Sequence, residues 1–124
     1  MTPPPVVSVV MIFLNGARFI DEAIRSVQAQ SLGEWELLLV DDGSTDDSTA
    51  IARAWSGRDP ARIRYLEHAD HRNLGMSASR NLGIAHARGE LLAFLDADDV
   101  WFPRKLEEQV GLLRAHPAAG MVFG

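Results

Sequence analysis

Leu91-Leu92-Ala93-Phe94-Leu95-Asp96-Ala97-Asp98-Asp99 decides the fold. Five apolar residues make a run short enough for a strand. Its lack of alternation suits a strand buried on both faces, as in a parallel sheet. The run stops at three carboxylates within four residues. An ionised carboxylate left buried without a partner is very costly, so these groups must meet water, a cation or a ligand. Asp oxygens are the hard donors that Mg²⁺ and Mn²⁺ prefer. The stretch therefore predicts a metal site at the carboxyl edge of an open α/β sheet, where such sheets hold their ligands.

Outward from this stretch, strands and helices alternate. Val6 to Phe13 is a β-branched apolar strand broken by Asn15-Gly16. From Ala17 the period changes: Phe19, Ile20, Ala23, Ile24 and Val27 recur at helical spacing, up to Gly33. Glu36 to Val40 is a second apolar strand, left through the turn Asp41-Asp42-Gly43-Ser44. Thr45 or Asp46 caps a helix running to about Trp55, and Ile63 to Glu67 is a third strand. His68 to Gly75 is a polar loop, followed by a helix with Ala78, Leu82, Ile84 and Ala85 on its apolar face, ending near Arg88-Gly89. Beyond the acids, Pro103 opens a helix with Leu106, Val110 and Leu113 inward. His116-Pro117 stops it, and Gly120 to Phe123 reads as a last strand. This order predicts a three-layer α/β/α domain with a mostly parallel sheet over residues 6–124, preceded by a disordered lead at 1–5.

Bulk properties narrow the class. At 124 residues the chain suits one domain, 47% hydrophobic and 23% charged like an ordinary globular protein. It has no cysteine, which excludes disulfides and thiolate zinc sites. A net charge of −5 argues against nucleic acid as a partner. No apolar run approaches the roughly 20 residues of a membrane span. The Met1-Thr2-Pro3-Pro4-Pro5 start lacks the layout of a signal peptide.

Each motif has a plainer reading. Asp96, Asp98 and Asp99 could form a solvated turn or cap the Pro103 helix. An EF-hand is excluded, because its sixth position demands Gly and Trp101 stands there. Asp41-Asp42 could be a simple Asp-Gly turn. As a ligand site it would accept hydrogen bonds from a ribose or base edge. Arg80, near a helix start, could be an ordinary exposed Arg or a clamp for phosphate oxygens, aided by the helix N-terminus. His71 and Arg72 read as solvated loop residues, Trp35 and Trp55 as packing, and Trp101 as a wall of the acidic site. No Gly-x-Gly-x-x-Gly follows the first strand, and there is no phosphate-binding P-loop.

Five segments in order resemble the family 2 glycosyltransferases of the GT-A fold. They are Val7-Ser8-Val9-Val10-Met11 with Asn15, Leu39-Val40-Asp41-Asp42-Gly43-Ser44-Thr45-Asp46, Asn73-Leu74-Gly75, Ala78-Ser79-Arg80-Asn81-Leu82-Gly83-Ile84, and Gly89-Glu90 leading into Phe94-Leu95-Asp96-Ala97-Asp98-Asp99. The resemblance implies a truncated GT-A fold, the Rossmann-like fold of nucleotide-diphospho-sugar transferases. It implies that Asn15, Asp41, Asp42, Arg80 and Asp96 bind the nucleotide, with Asp42 at the base or ribose and Arg80 at the diphosphate. Asp98, Asp96 and Asp99 would hold Mn²⁺ or Mg²⁺. The implied activity is inverting transfer from a nucleotide-diphosphate sugar, a UDP-sugar foremost, to a hydroxyl of a saccharide or lipid-linked acceptor in polysaccharide, lipopolysaccharide or glycoconjugate synthesis. Leu14 and Ile12 stand where the family carries an aromatic residue and Pro or Thr.

Family members carry a second half with the acceptor site and general base. That base is expected beyond Gly124, so this stretch alone should transfer weakly or not at all. The resemblance implies a cytoplasmic location, or a peripheral one at the inner face of the membrane. An exposed sheet edge would favour a homodimer. A metal-dependent phosphohydrolase or nucleotidyltransferase, and a non-catalytic nucleotide-binding module, stay open at this point.

Overall fold

The computed structural model describes residues 5–115. Four strands, β1 (Val7–Phe13), β2 (Trp35–Asp41), β3 (Ile63–Glu67) and β4 (Leu91–Asp96), form one sheet in the order β3-β2-β1-β4. Every pairing in it is parallel. The helices are α1 (Ile20–Gln28), α2 (Ser48–Arg58), α3 (Met76–His86) and α4 (Lys105–Ala115), with a short 3₁₀ turn at Ala69–His71. Residues 1–4 of the expected lead at 1–5, the His116-Pro117 stop, the Leu113 side chain and the strand at 120–123 lie outside the described residues.

Strand alternation divides the sheet into two faces. Ala93, Val9, Leu37 and Ile63 lie side by side across it and are at most 3% exposed. With Met11, Leu39 and Leu95 they meet Ile20, Ala23, Ile24 and Val27 of α1, Ala52 and Trp55 of α2, and Leu106 and Val110 of α4. On the other face Val10, Leu38 and Val40 pack with Leu82 of α3. The result is the expected three-layer sandwich.

Three local readings need correction. Helix α1 begins at Ile20 rather than Ala17, and Phe19 is 45% exposed. Residue 19 precedes the first helical turn, so the apparent period ran past the helix start. The inner face of α3 is Ser79 and Gly83 rather than Ala78, Ile84 and Ala85. A Cβ at Gly83 would fall 2.6 Å from Val10 Cγ1, so only glycine lets this helix lie so close to the sheet. Trp101 does not wall the acidic site; it is buried in the α1, α2 and α4 core.

The amino edge of the sheet carries a carboxylate that the apolar reading of β2 passed over. Glu36 is 1% exposed. It accepts from Ser8 Oγ at 2.6 Å and the Arg88 N–H at 2.6 Å, and it pairs with Arg64 at 2.9 Å and Arg88 Nε at 3.2 Å. Burial pushes its carboxyl up, but these donors outweigh burial and hold it below the ordinary carboxylate range. Glu36 thus ties β1, β2, β3 and the approach to β4 together.

Candidate functional site

At the carboxyl edge the strands end almost level: Phe13 lies beside Asp41, Asp41 beside Glu67, and Ile12 beside Asp96. Alternation then sends neighbouring acids to opposite faces. Asp41 shares the parity of Leu37 and Leu39 and is fully buried. Its Oδ1 accepts from the Ser44 N–H at 2.8 Å, and its Oδ2 from the Thr49 hydroxyl and from Tyr65 OH at 2.8 Å. Burial pushes its carboxyl up, but those hydrogen bonds hold it below the usual range. Asp41 has no surface with which to meet a ligand.

Asp42 behaves differently. Its Oδ1 accepts from the N–H groups of Leu74 at 2.9 Å and Gly75 at 3.1 Å, at the start of α3, and lies 3.6 Å from His68 Nε2. Every bond to the Asp42 carboxylate goes to that oxygen, and its Oδ2 is not among the buried unpartnered atoms. Asp42 is itself only 5% exposed, so Oδ2 offers a narrow surface on which an incoming donor could be met. Gly43 is in the left-handed region (φ 85°), and a Cβ there would lie 2.8 Å from the Asn73 N. Only glycine allows this turn and the 68–75 loop to touch. The same His68 nitrogen lies 2.9 Å from the buried Ser79 Oγ. One nitrogen facing both Ser79 and Asp42 leaves no relay of the hydrolase kind.

Among the described residues, the acidic and imidazole atoms that converge are those of Asp41, Glu67 and His71, within 4.8 Å of one another. Protons already fill that cluster. Tyr65 OH lies 2.8 Å from Asp41 and 2.7 Å from Glu67 Oε2. His71 Nδ1 lies 2.6 Å from Glu67 Oε2 and its Nε2 lies 2.7 Å from the Ser44 carbonyl. The phenol is held protonated by burial, then by Glu67 and Asp41. The Tyr65 hydroxyl and then His71 hold Glu67 below the ordinary range. The His71 reading as a solvated loop residue is thus corrected: the ring is half-buried and bonded at both nitrogens.

Asn15 has left-handed backbone (φ 54°) and joins the first two strand ends. Its N–H donates to Ser44 Oγ at 2.9 Å, and its Oδ1 accepts from the Thr45 N–H at 2.7 Å. The residue that caps α2 is Asp47, not Thr45 or Asp46, and it makes no side-chain cap bond; Asp46 accepts from the Ser48 N–H at 2.9 Å. Arg80 lies in the second turn of α3, exposed, its guanidinium 5.7 Å from the Phe94 ring centre. Phe94 is two residues before Asp96 on the same strand face, which sets Arg80 on the side of β4 leading to the acids.

Asp96, Asp98 and Asp99 are all exposed. The Asp99 N–H donates to the Asp96 carbonyl at 2.9 Å, and Asp99 Oδ1 accepts from the Val100 N–H at 2.9 Å. The carboxylates of Asp96 and Asp98 have no partner among the described residues. They do not converge as a closed cage. Open, unpaired oxygens of this kind suit a cation that takes one or two carboxylates and completes its shell with ligand phosphates and water.

The family model described as "Glycosyl transferase family 2" matches residues 8–124. TuaG of Bacillus subtilis (strain 168), a glycosyltransferase proposed for teichuronic acid biosynthesis, is 35% identical over 116 residues, 93% of this chain and 44% of its own. S. aureus TarS 1-349 in complex with UDP-GlcNAc superposes with a TM-score of 0.79 at 26% identity, over 90% of this chain and 32% of that one. The mannosyltransferase PcManGT from Pyrobaculum calidifontis, in complex with GDP-Man and Mn²⁺, gives 0.79 at 28% identity, over 90% and 33%. The chain spans less than half the length of each. No helix among the described residues is long and apolar enough to cross a membrane.

Proposed function

The chain belongs to glycosyl transferase family 2, and from that premise we propose that residues 6–124 form the nucleotide-sugar-binding part of an inverting transferase. The donor is a nucleotide-diphosphate sugar, a UDP-sugar foremost, and the acceptor is a hydroxyl of a saccharide or lipid-linked molecule in cell-envelope polysaccharide, lipopolysaccharide or glycoconjugate synthesis. The observation that carries this reading is the set of unused acceptors along one sheet edge: Asp42 Oδ2, Asp96 and Asp98. The UDP-GlcNAc complex of TarS supports the donor class, and the role proposed for TuaG supports an envelope polymer as product.

Asp42 accepts hydrogen bonds from the nucleoside, while buried Asp41 and Asn15 hold the turn that presents it. Arg80 and the start of α3 face the diphosphate. Asp98 and Asp96 would hold a divalent cation, Mn²⁺ or Mg²⁺, with Asp99 as a further ligand or as a hydrogen-bond partner beside it. Bound there, it would supply Lewis-acid neutralisation of charge on the leaving diphosphate. The acceptor hydroxyl attacks the anomeric carbon in line as the bond from that carbon to the diphosphate breaks, and a general base takes the hydroxyl proton.

Calorimetry with UDP, with and without Mn²⁺, tests the assignment. The expected result is Mn²⁺-dependent binding that Asp98→Asn weakens about tenfold, the effect of losing one charge-assisted contact. Equal binding by folded Asp98→Asn removes the acids at the end of β4 from the site.

A further inference from the structure

The Ala69–His71 turn is held in a shape the backbone resists. Asp70 (φ 58°) and His71 (φ 54°) are consecutive non-glycine residues in the left-handed region, which L side chains disfavour. Two bonds from one ring hold the turn there. His71 Nδ1 reaches Glu67 Oε2 and Nε2 reaches the Ser44 carbonyl. Both partners are acceptors, and a neutral imidazole carries one N–H, so only the imidazolium satisfies both. Three residues further on, the same loop supplies the Leu74 and Gly75 N–H groups that hold Asp42.

We propose that His71 is a positioning residue for the nucleoside end of the site: as an imidazolium it clasps the 68–75 loop to the Asp41–Ser44 turn, so that Leu74 and Gly75 fix Asp42 with its second oxygen left for the ligand. The inference rests on the functional reading of Asp42 given above. It adds a residue that touches no ligand yet sets affinity, and a dependence on pH.

The surroundings favour the charged ring. Glu67 and Tyr65 face it from β3 and Asp41 from β2, and Asp70 and Arg72 flank it in the chain. Arg53 of α2 opposes it, 3.6 Å from Glu67 Oε1. The Ser44 carbonyl and then Glu67 raise its pKa above the ordinary 6.5. A raised histidine pKa stabilises the clasped form fully below the ordinary value and loses that contribution as pH rises through the folded one.

The test uses the full protein and His71→Phe, with UDP and Mg²⁺ as the probe between about pH 6 and about pH 9. The ratio of the two affinities cancels titration of the ligand's own phosphate. The wild type should bind about tenfold more tightly near pH 6, and the two should converge by about pH 9. A ratio constant across that range overturns the proposal and leaves His71 a packing residue. Hydrogen-exchange protection of the Leu74 and Gly75 amides in unliganded wild type is the second measurement, independent of UDP and of the variant. It should fall about tenfold over the same range, and a flat profile overturns the clasp. Binding of UDP by neither protein, with protection still falling, defeats the functional reading and keeps the clasp.

Discussion

The two ends of the one sheet hold acids in opposite states. At the amino end Glu36 is buried, and Ser8, Arg64 and Arg88 use its oxygens fully. At the carboxyl end Asp42, Asp96 and Asp98 keep oxygens that nothing in the described chain uses. The difference separates an acid that builds the fold from acids whose oxygens the fold leaves unused. A carboxylate with both oxygens satisfied contributes connectivity, whereas one with an unused oxygen keeps capacity for something else, whether exposed like Asp96 and Asp98 or buried like Asp42. Asp41 and Asp42 repeat the contrast within two residues.

The largest effect should come from breaking the closed end. Glu36→Ala leaves two arginines around an empty socket, and breaking such a pair costs about 3 kcal/mol, readable by urea denaturation. Nucleotide binding by the folded fraction should not change. The pH dependence has a sign. Because the folded carboxyl lies below its ordinary 4.5, Glu36 adds stability above that value and loses it as pH falls through the lower folded one. Glu36→Gln should flatten that acid limb.

Glycines at the two ends sharpen the comparison. A Cβ at Gly89 would lie 2.8 Å from both Ser8 N and Ser8 Oγ. Gly89→Ala should therefore pry at the Glu36 network and cost about 2 kcal/mol. Gly75 has open space around its Cβ position but left-handed backbone (φ 96°). Gly75→Ala should cost about 1 kcal/mol of stability, yet weaken UDP binding because it disturbs the N–H that holds Asp42. Thermal unfolding and calorimetry of the two variants give both numbers. Smallest of all, Asp98→Asn should shift stability by no more than about 0.5 kcal/mol.

The sequence already carried much of this architecture. Strand β3 matches its expected bounds, and the acids fall at the strand ends where the apolar runs stop. Strand parity also places Asp41 with Leu37 and Leu39, a signal present in the residues and enough to part it from Asp42. Other features were illegible because they depend on contacts distant in the chain. Glu36 meets Arg64 and Arg88, 28 and 52 residues away. His71 meets Ser44, 27 residues back. The inner face of α3 misled for another reason: two small residues, Ser79 and Gly83, make the contact, so the apolar side chains did not mark it.

The most direct measurement is paramagnetic broadening of backbone amide signals on adding Mn²⁺ and UDP together. Signals from Asp96 to Val100, Asp42 to Ser44 and Gly75 should be lost, while those of Ser8, Glu36 and Arg88 stay sharp. Broadening centred on Glu67 and His71, or at the Glu36 end, would contradict that placement.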